Sequence, residues 1–173
     1  MIPTTQTFIH QLIEQAVHVG DIVVDATTAN GINTRFLATR VGNTGRVISY
    51  TTTKDNANAT AASLFMSGLS ERVTLLSKTI DRQFIAELGL QNQARIVIFD
   101  YSSDSENSHD RPDDYLDQID RVIPRLTHGG LLIIKFDDVP ENWSVYSQSL
   151  LTADFQQATY KTNTTQTYLI ERI

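Results

Sequence analysis

The sequence predicts a single α/β domain in which a mostly parallel sheet carries helices on both faces and ends in an antiparallel hairpin. Short apolar runs typical of strands alternate with stretches whose apolar residues recur at helical spacing along the 173-residue chain. Strands that alternate with helices are joined by crossover connections, which produce parallel sheets. No internal repeat or linker interrupts this pattern, so we expect one domain over residues 1–173.

The N-terminal half begins with a helix and then alternates between strands and helices. Apolar residues at helical spacing predict the first helix over residues 7–18. Residues 21–25 form a short, nearly all-apolar run, as expected of a strand buried on both faces. The elements predicted next are a turn at 26–31, a helix at 34–41, a strand at 46–50, a helix at 54–67 and a strand at 72–76.

The C-terminal half continues the alternation and closes with two strands in succession. Its predicted elements are a helix at 80–88, a strand at 95–99, a helix at 112–126, a strand at 131–136 and a helix at 140–151. The polar stretch 102–111 is interpreted as a surface loop. Residues 155–160 and 166–170 predict a terminal hairpin, which brings the sheet to seven strands.

Composition excludes several classes of protein. No apolar stretch is long enough to span a membrane, and the N-terminus lacks the basic region and apolar core of a secretion signal. The absence of cysteine excludes disulfides, thiolate catalysis and cysteine-ligated zinc, and we expect a cytoplasmic protein. The four histidines show no metal-ligand spacing, so we expect no metal site.

The net charge of −6 does not by itself suggest a nucleic-acid partner, because such proteins usually show a basic excess. We expect no membrane partner. The oligomeric state stays open, with a homodimer among the alternatives.

The turn after the first strand is where this topology places a ligand. In open parallel sheets, ligands bind beyond the carboxyl ends of the strands, near the switch in strand order. That exit reads DATTANGINT over residues 25–34. Asp25 can pair with a cationic amine, small residues allow close approach to the backbone, and the next helix points amide groups at the same place. Further polar side chains come from Thr27, Asn30 and Thr34.

A purely structural interpretation of the same turn stays open. Asp25 would then cap the turn, and the small residues would only allow the strand to pack tightly against the helix. The G-x-G-x-x-G fingerprint of dinucleotide-binding enzymes is absent, which argues against a nicotinamide or flavin dehydrogenase.

The residues of this turn resemble the first-strand motif of a family of small S-adenosylmethionine (SAM)-dependent methyltransferases. That family, first described as rRNA methylases, has members assigned to the tRNA wobble modification 5-aminomethyl-2-thiouridine, and it carries D-A-T-x-G-N-G-x-D-T after G-D-x-V-V. Here residues 20–34 read GDIVVDATTANGINT. The family's G-L-x-x-R-V-x-L stretch matches residues 68–75, and its glycine pair before the fifth strand matches Gly129 and Gly130.

This resemblance implies a Rossmann-like class I SAM methyltransferase fold, SAM as the cofactor, and a base or amine of tRNA or rRNA as the methyl acceptor. Asp25 would hold the methionine amine, and Thr51 would face the ribose. The family's own catalytic residues cannot be carried over to the loop after the fourth strand. Asp100 is the expected catalytic residue because acidic residues at this place accept a proton or hydrogen bond from the acceptor amine in amino-methylating enzymes, and a cap of a turn or helix is the alternative role. The cofactor-binding residues that the resemblance implies are Asp25, Ala26, Thr27, Ala29, Asn30, Gly31, Asn33, Thr34, Thr51 and Lys78.

The chain departs from the family at several of these positions. Ala29 replaces the central glycine, and Asn33 replaces the second acid. Thr51 stands where an acid normally holds the ribose hydroxyls, and a carboxylate would accept two charge-assisted bonds where threonine makes one weaker contact. Lys78 replaces an Asp after the third strand, and residues 100–107 replace the loop that lines the acceptor site.

Three functions therefore stay open. The first is methyl transfer to RNA. The second is a binding or regulatory protein that keeps the fold and has lost catalysis, which the missing ribose acid and the altered loop favour. The third is methyl transfer to a small molecule or a protein, which the negative charge fits better than RNA.

Overall fold

The computed structural model describes residues 1–102 and 114–173. Within them, the strands are β1 (Ile22–Asp25), β2 (Arg46–Tyr50), β3 (Val73–Leu76), β4 (Ala94–Tyr101), β5 (Leu126–Phe136), β6 (Phe155–Lys161) and β7 (Gln166–Arg172). The α-helices are α1 (Thr5–Ala16), α2 (Ile32–Val41), α3 (Lys54–Met66), α4 (Phe84–Leu88), α5 (Tyr115–Val122) and α6 (Trp143–Ser149).

The seven strands form one sheet in the order β3-β2-β1-β4-β5-β7-β6. The first five strands run parallel, whereas β7 is antiparallel to both β5 and β6. The predicted mostly parallel seven-stranded sheet with a C-terminal antiparallel hairpin is therefore confirmed. The strand order reverses between β1 and β4, so the carboxyl ends of these two strands flank the crevice where such sheets bind ligands.

Helices cover both faces of the sheet, as the sequence predicts. On one face, Ile13 of α1 and Leu37 of α2 pack with Val23 of β1 in a fully buried cluster. On the other face, Phe84 of α4 and Ile119 of α5 pack with side chains that include Val24, the next residue of β1. Neighbouring residues of β1 thus serve opposite cores, which explains why the strand is apolar almost throughout.

The structure shifts several predicted boundaries, and three of the shifts are large. The helix predicted at 80–88 is limited to Phe84–Leu88, because Ile80 enters the core from the preceding loop. The fifth strand starts at Leu126 and continues through the glycine pair, with a register shift against β4 between Ala94 and Ile96.

The third correction concerns the helix predicted at 112–126. It ends as α5 at Val122 and continues as a 3-10 turn that contains Pro124, a residue without the amide hydrogen that an α-helix needs. Residues 112 and 113, and the predicted surface loop beyond Ser102, lie outside the described residues.

The described residues contain neither a membrane-spanning helix nor a cluster of metal ligands. No helix in 1–102 or 114–173 is both long and apolar enough to cross a bilayer. In the same residues, no three or more histidine or acidic side chains converge to form a metal site.

Candidate functional site

Asp25 ends β1 as a buried carboxylate that accepts hydrogen bonds from its own surroundings. Thr34 in the first turn of α2 donates its hydroxyl to Oδ2 of Asp25 at 2.7 Å, and the amide of Thr27 donates to Oδ1 at 3.4 Å. The Thr34 hydroxyl also lies 2.6 Å from the hydroxyl of Ser49 on β2. Since a buried charge needs polar partners, these contacts fix the position of the carboxylate.

The turn after Asp25 is bonded to strands on both sides. The amide of Ala26 donates to the carbonyl of Ile98 on β4, and the amide of Thr28 donates to the carbonyl of Tyr50 on β2, both at 2.8 Å. Asn30 then accepts the amide of Ile32 at 3.1 Å, which starts α2. The turn therefore leads into α2 along a defined path.

Gly31 is the one position of the turn where only glycine fits. Its φ of +80° lies in the left-handed region. A Cβ atom at this position would lie 2.7 Å from the hydroxyl oxygen of Thr60 on α3. Thr60 is fully buried and its hydroxyl has no hydrogen-bond partner. Helix α3 therefore packs directly against the backbone of the turn.

Asp100 lies at the end of β4, beside this turn. Its amide donates to the hydroxyl oxygen of Thr27 at 2.6 Å, which joins the exits of β1 and β4. Its Oδ1 accepts the amide and the hydroxyl of Ser102 at 2.9 and 2.5 Å. Lys135, its register partner on β5, places Nζ 3.5 Å from Oδ2. The residue predicted to be catalytic thus lies next to the turn predicted to bind the cofactor.

The end of β2 presents hydroxyls in place of a carboxylate. Thr51 is buried, and its amide donates to the carbonyl of Leu76 on β3 at 2.9 Å. Its hydroxyl donates to the carbonyl of Thr53 at 3.4 Å. Thr53 in turn caps α3 by accepting the amide of Asn56. Acidic side chains are therefore absent from residues 50–54 at this exit.

Lys78, after β3, belongs to a cluster of charged and polar residues. Its ammonium lies 2.9 Å from Glu87 and 3.0 Å from Asp81, and it donates to Gln83. Partial desolvation lowers the pKa of Lys78, but its bonds to Glu87 and Asp81 outweigh this effect and raise the pKa overall. Glu87 also accepts the hydroxyl of Tyr50, whose pKa burial and Glu87 raise. The ammonium therefore has carboxylate partners within the protein.

Asn33 contacts α1. Its Oδ1 accepts Nε2 of Gln6 at 2.7 Å, and that same nitrogen lies 2.6 Å from Nε2 of His10. The His10 ring stacks on Phe36 with 4.0 Å between ring centroids. Burial lowers the pKa of His10, against the opposing effects of its hydrogen bond to Asn33 and of the charge of Glu14.

The structure thus brings together part of the predicted site. The predicted residues that meet at the β1–β4 exits or the adjoining start of α2 are Asp25, Ala26, Thr27, Gly31, Thr34 and Asp100. In the same turn, Ala29 is partly exposed and Asn30 is exposed. Thr51 lies one strand away, Asn33 contacts α1, and Lys78 pairs with Asp81 and Glu87. The ligand contacts of all these residues stay predictions.

Three polar residues of the site are not among those that the sequence predicts. Ser49 contacts Thr34, while Ser102 and Lys135 contact Asp100. Ser49 and Lys135 carried a usable signal, because each is a polar residue inside an otherwise apolar strand. Ser102 had no such signal, since serine is common after strands.

Comparison with known proteins identifies the fold. The chain matches no family model and no curated protein sequence. A candidate rRNA methylase from Clostridium thermocellum has a similar structure, with a TM-score of 0.87, 22% identity and full coverage of both chains. An rRNA methylase from Streptococcus thermophilus has a TM-score of 0.82 and 23% identity, over 100% of this chain and 99% of the other.

A candidate methyltransferase from Streptococcus mutans in complex with SAH has a TM-score of 0.81 and 22% identity, again over both whole chains. The chain has the class I SAM methyltransferase fold. The predicted Rossmann-like architecture is confirmed. Within the class I fold, the β1–β4 crevice described above is the switch point at which an open α/β sheet binds its ligand.

Proposed function

We propose that the chain binds SAM and transfers its methyl group to an amine or base of RNA. The observation that carries this proposal is the hydrogen bond from the amide of Asp100 to the hydroxyl of Thr27. It holds a carboxylate suited to the methyl acceptor beside a turn suited to the cofactor. Methyl transfer needs the acceptor atom to be held in line with the methyl–sulfonium bond, so that SAH leaves on the opposite side.

The residues after β1 fit the amino-acid end of SAM. Asp25 is a carboxylate at the carboxyl end of β1, and a carboxylate can accept from a cationic amine as well as from the Thr34 hydroxyl and the Thr27 amide. Gly31 gives the turn its left-handed conformation before α2, with α3 packed against its backbone. We assign Asp25 to the amine and residues 26–31 to backbone contacts.

The fit is weaker at the ribose end. Thr51 offers a hydroxyl where a carboxylate would accept two charge-assisted bonds, each about twice as strong as a neutral one. Lys78 is already paired with Asp81 and Glu87. Weak binding of SAM is therefore part of this proposal, with the amino-acid end supplying most of the affinity.

Bound SAM would supply an electrophilic methyl group on a sulfonium. The protein's part is to orient the acceptor and to receive its proton. Asp100 is placed for this role, because Ser102 and Lys135 hold its carboxylate at the end of β4. A carboxylate positioned in this way would hydrogen-bond an acceptor amine and accept a proton from it.

The negative charge of the chain is unevenly distributed along the sequence. Eleven of the twenty acidic residues lie within residues 100–141, together with four basic residues. The remaining sequence carries ten basic and nine acidic residues. The acidity is therefore concentrated in one segment. A tRNA with 5-aminomethyl-2-thiouridine is the first acceptor to test, and an RNA acceptor agrees with the expected cytoplasmic location.

A second candidate is a protein that binds SAM or SAH without catalysing methyl transfer. The observation that favours it is the polar network itself, in which the Thr34 hydroxyl contacts both Asp25 and Ser49, and Lys78 is paired within the protein. A third candidate, methyl transfer to a small amine, differs from the first only in the acceptor.

Calorimetric titration tests whether the chain binds SAM. The full-length chain is titrated with SAM and with SAH up to millimolar concentration. The proposal expects binding of one ligand per chain, and binding that is lost in Asp25→Asn. A flat titration with both ligands would reject SAM-dependent catalysis.

A methyl-transfer assay then separates the three candidates. SAM with a labelled methyl group is incubated with undermodified tRNA, with rRNA and with small primary amines. Label in RNA supports the proposal, and label only in small amines supports the third candidate. Binding of SAM without transfer to any acceptor supports the second candidate.

A further inference from the structure

Strand β6 is an edge of the sheet without the usual protection against pairing. Natural edge strands are blunted by charges, proline or bulges. Here the seven-residue strand contains no proline, its pairing with β7 is unbroken, and Lys161 at its end is its one charged residue. Five of its residues are exposed, namely Gln156, Gln157, Ala158, Thr159 and Lys161.

The backbone groups that face away from the sheet can be deduced from the two ends of the hairpin. The amide of Thr162 donates to the carbonyl of Thr165, and the amide of Ile173 donates to the carbonyl of Asp154. Because bonded and non-bonded pairs alternate along an antiparallel ladder, the even-numbered residues of β6 bond to β7. The odd-numbered residues therefore direct their amides and carbonyls outward. They are Phe155, Gln157, Thr159 and Lys161.

The outward groups of β6 offer both donors and acceptors. The amide of Phe155 already donates to the carbonyl of Leu151 at 3.0 Å. Gln157 and Thr159, in the middle of the strand, present both an amide and a carbonyl at the edge. Such a row of groups is a template for another strand.

The surroundings of the hairpin leave this edge accessible and nearly neutral. A groove of about 620 Å³ separates α1 from the hairpin, and Gln156 and Ala158 are among its lining residues. The charged side chains of residues 155–173 are Lys161, Glu171 and Arg172, in a chain of net charge −6. Two copies of this segment can therefore approach without the repulsion that other surfaces of an acidic protein would cause.

We infer that β6 pairs antiparallel with β6 of a second copy of this chain, around a two-fold axis at Ala158. In this register Gln157 of one copy and Thr159 of the other exchange both backbone hydrogen bonds. The amide of Lys161 of one copy donates to the carbonyl of Phe155 of the other. The contact is isologous, so the same set of bonds occurs twice and the assembly closes as a dimer.

The side chains are compatible with that register. Ala158 faces Ala158 in a non-hydrogen-bonded pair, where side chains approach most closely and a methyl group is small enough to fit. The remaining pairs are Gln156 with Tyr160 and Phe155 with Lys161, so like charges are never opposed. The pairing continues the sheet through both copies and leaves the β1–β4 exits of each copy open.

A cysteine crosslink tests the position of the axis. The chain has no cysteine, so a single introduced thiol can form a disulfide only with another copy. Across a non-hydrogen-bonded pair the Cα atoms lie about 4.5 Å apart, within the range that a disulfide spans. We expect Ala158→Cys to convert mostly to a linked dimer under mild oxidation. Val145→Cys, on the exposed side of α6, is the matched control and should stay mostly monomeric.

Sedimentation of variants tests the association itself. The wild-type chain should sediment as a dimer across the micromolar range. Ala158→Arg should dissociate it by opposing two guanidinium groups, and Thr159→Pro by removing an outward amide while leaving the bonds to β7 intact. Val145→Arg should remain dimeric, and circular dichroism should show all variants folded. A monomeric wild type, or equal crosslinking of the two cysteine variants, would overturn the inference.

Discussion

The two halves of the candidate site are built in different ways. At the exits of β1 and β4, buried polar groups contact one another, with Asp25 bonded to Thr34 and Thr27 bonded to Asp100. At the exits of β2 and β3, Thr51 contacts its own strand end, and the charge of Lys78 is paired with nearby carboxylates. The first half is therefore organised around a carboxylate, whereas in the second half Thr51 follows the end of β2 and no acid occurs in residues 50–54.

This difference predicts how a ligand of the SAM type would bind. Preorganised polar groups cost little to arrange when a ligand arrives, so the β1–β4 half should supply most of the affinity. The β2–β3 half should supply little, because a hydroxyl replaces the stronger charge-assisted contact. Three variants test this comparison, and a fourth tests the contact of Asn33 with α1.

The largest effect is expected from Asp100→Asn. The amide keeps the shape of the side chain but removes the proton acceptor, so methyl transfer should fall by roughly 100-fold or more while SAM binding persists. Initial rates and calorimetry measure the two properties separately. Asp137→Asn, an exposed acid after β5, is the control and should retain the wild-type rate. A rate in Asp100→Asn equal to that of the control would remove Asp100 from the mechanism.

Asp25→Ala should abolish SAM binding and also destabilise the fold. It removes the acceptor of the Thr34 hydroxyl and the Thr27 amide, and leaving buried polar groups without partners costs about 1–3 kcal/mol. Denaturant unfolding measures the free energy of unfolding, and calorimetry measures binding. Asp21→Ala is the control, because it removes the acid that precedes β1, at the end of the strand far from Asp25, and should leave SAM binding intact. Tight SAM binding by Asp25→Ala would contradict the assignment.

Thr51→Asp should strengthen SAM binding by roughly tenfold. A carboxylate at the end of β2 accepts two charge-assisted bonds, and tenfold corresponds to about 1.4 kcal/mol. Thr52→Asp adds the same charge at the next, exposed position and separates a specific contact from a general effect. Equal affinities of the two variants would show that the second half of the site does not receive a ribose.

Asn33→Asp should produce the smallest effect, a rise in the pKa of His10. Burial lowers the pKa of His10 in the wild-type chain, and a nearby carboxylate stabilises the protonated ring. An NMR titration gives the midpoint for His10, with the exposed His18 as an internal reference. The wild-type midpoint should lie below 6.5. An unchanged midpoint in the variant would mean that residue 33 does not face the ring in solution.

Much of the fold was predictable because its signals are local. The apolar run that ends at Asp25, the helical spacing in α1 and the turn between β6 and β7 each identify an element without reference to the rest of the chain. The boundaries of α4 and β5 were less predictable. Ile80 is buried without being helical, and Gly129 lies inside a strand, since tertiary packing decided both.

The sequence by itself determined the α/β architecture, the position of the turn after β1 and the absence of an acid at the end of β2. Only the tertiary structure decided that Asn33 contacts α1, that Lys78 pairs with Glu87, and that Lys135 lies beside Asp100. The physical reason is distance along the chain. A hydrophobic period is visible in neighbouring residues, whereas these contacts join side chains from different elements of the fold and depend on strand register and helix packing.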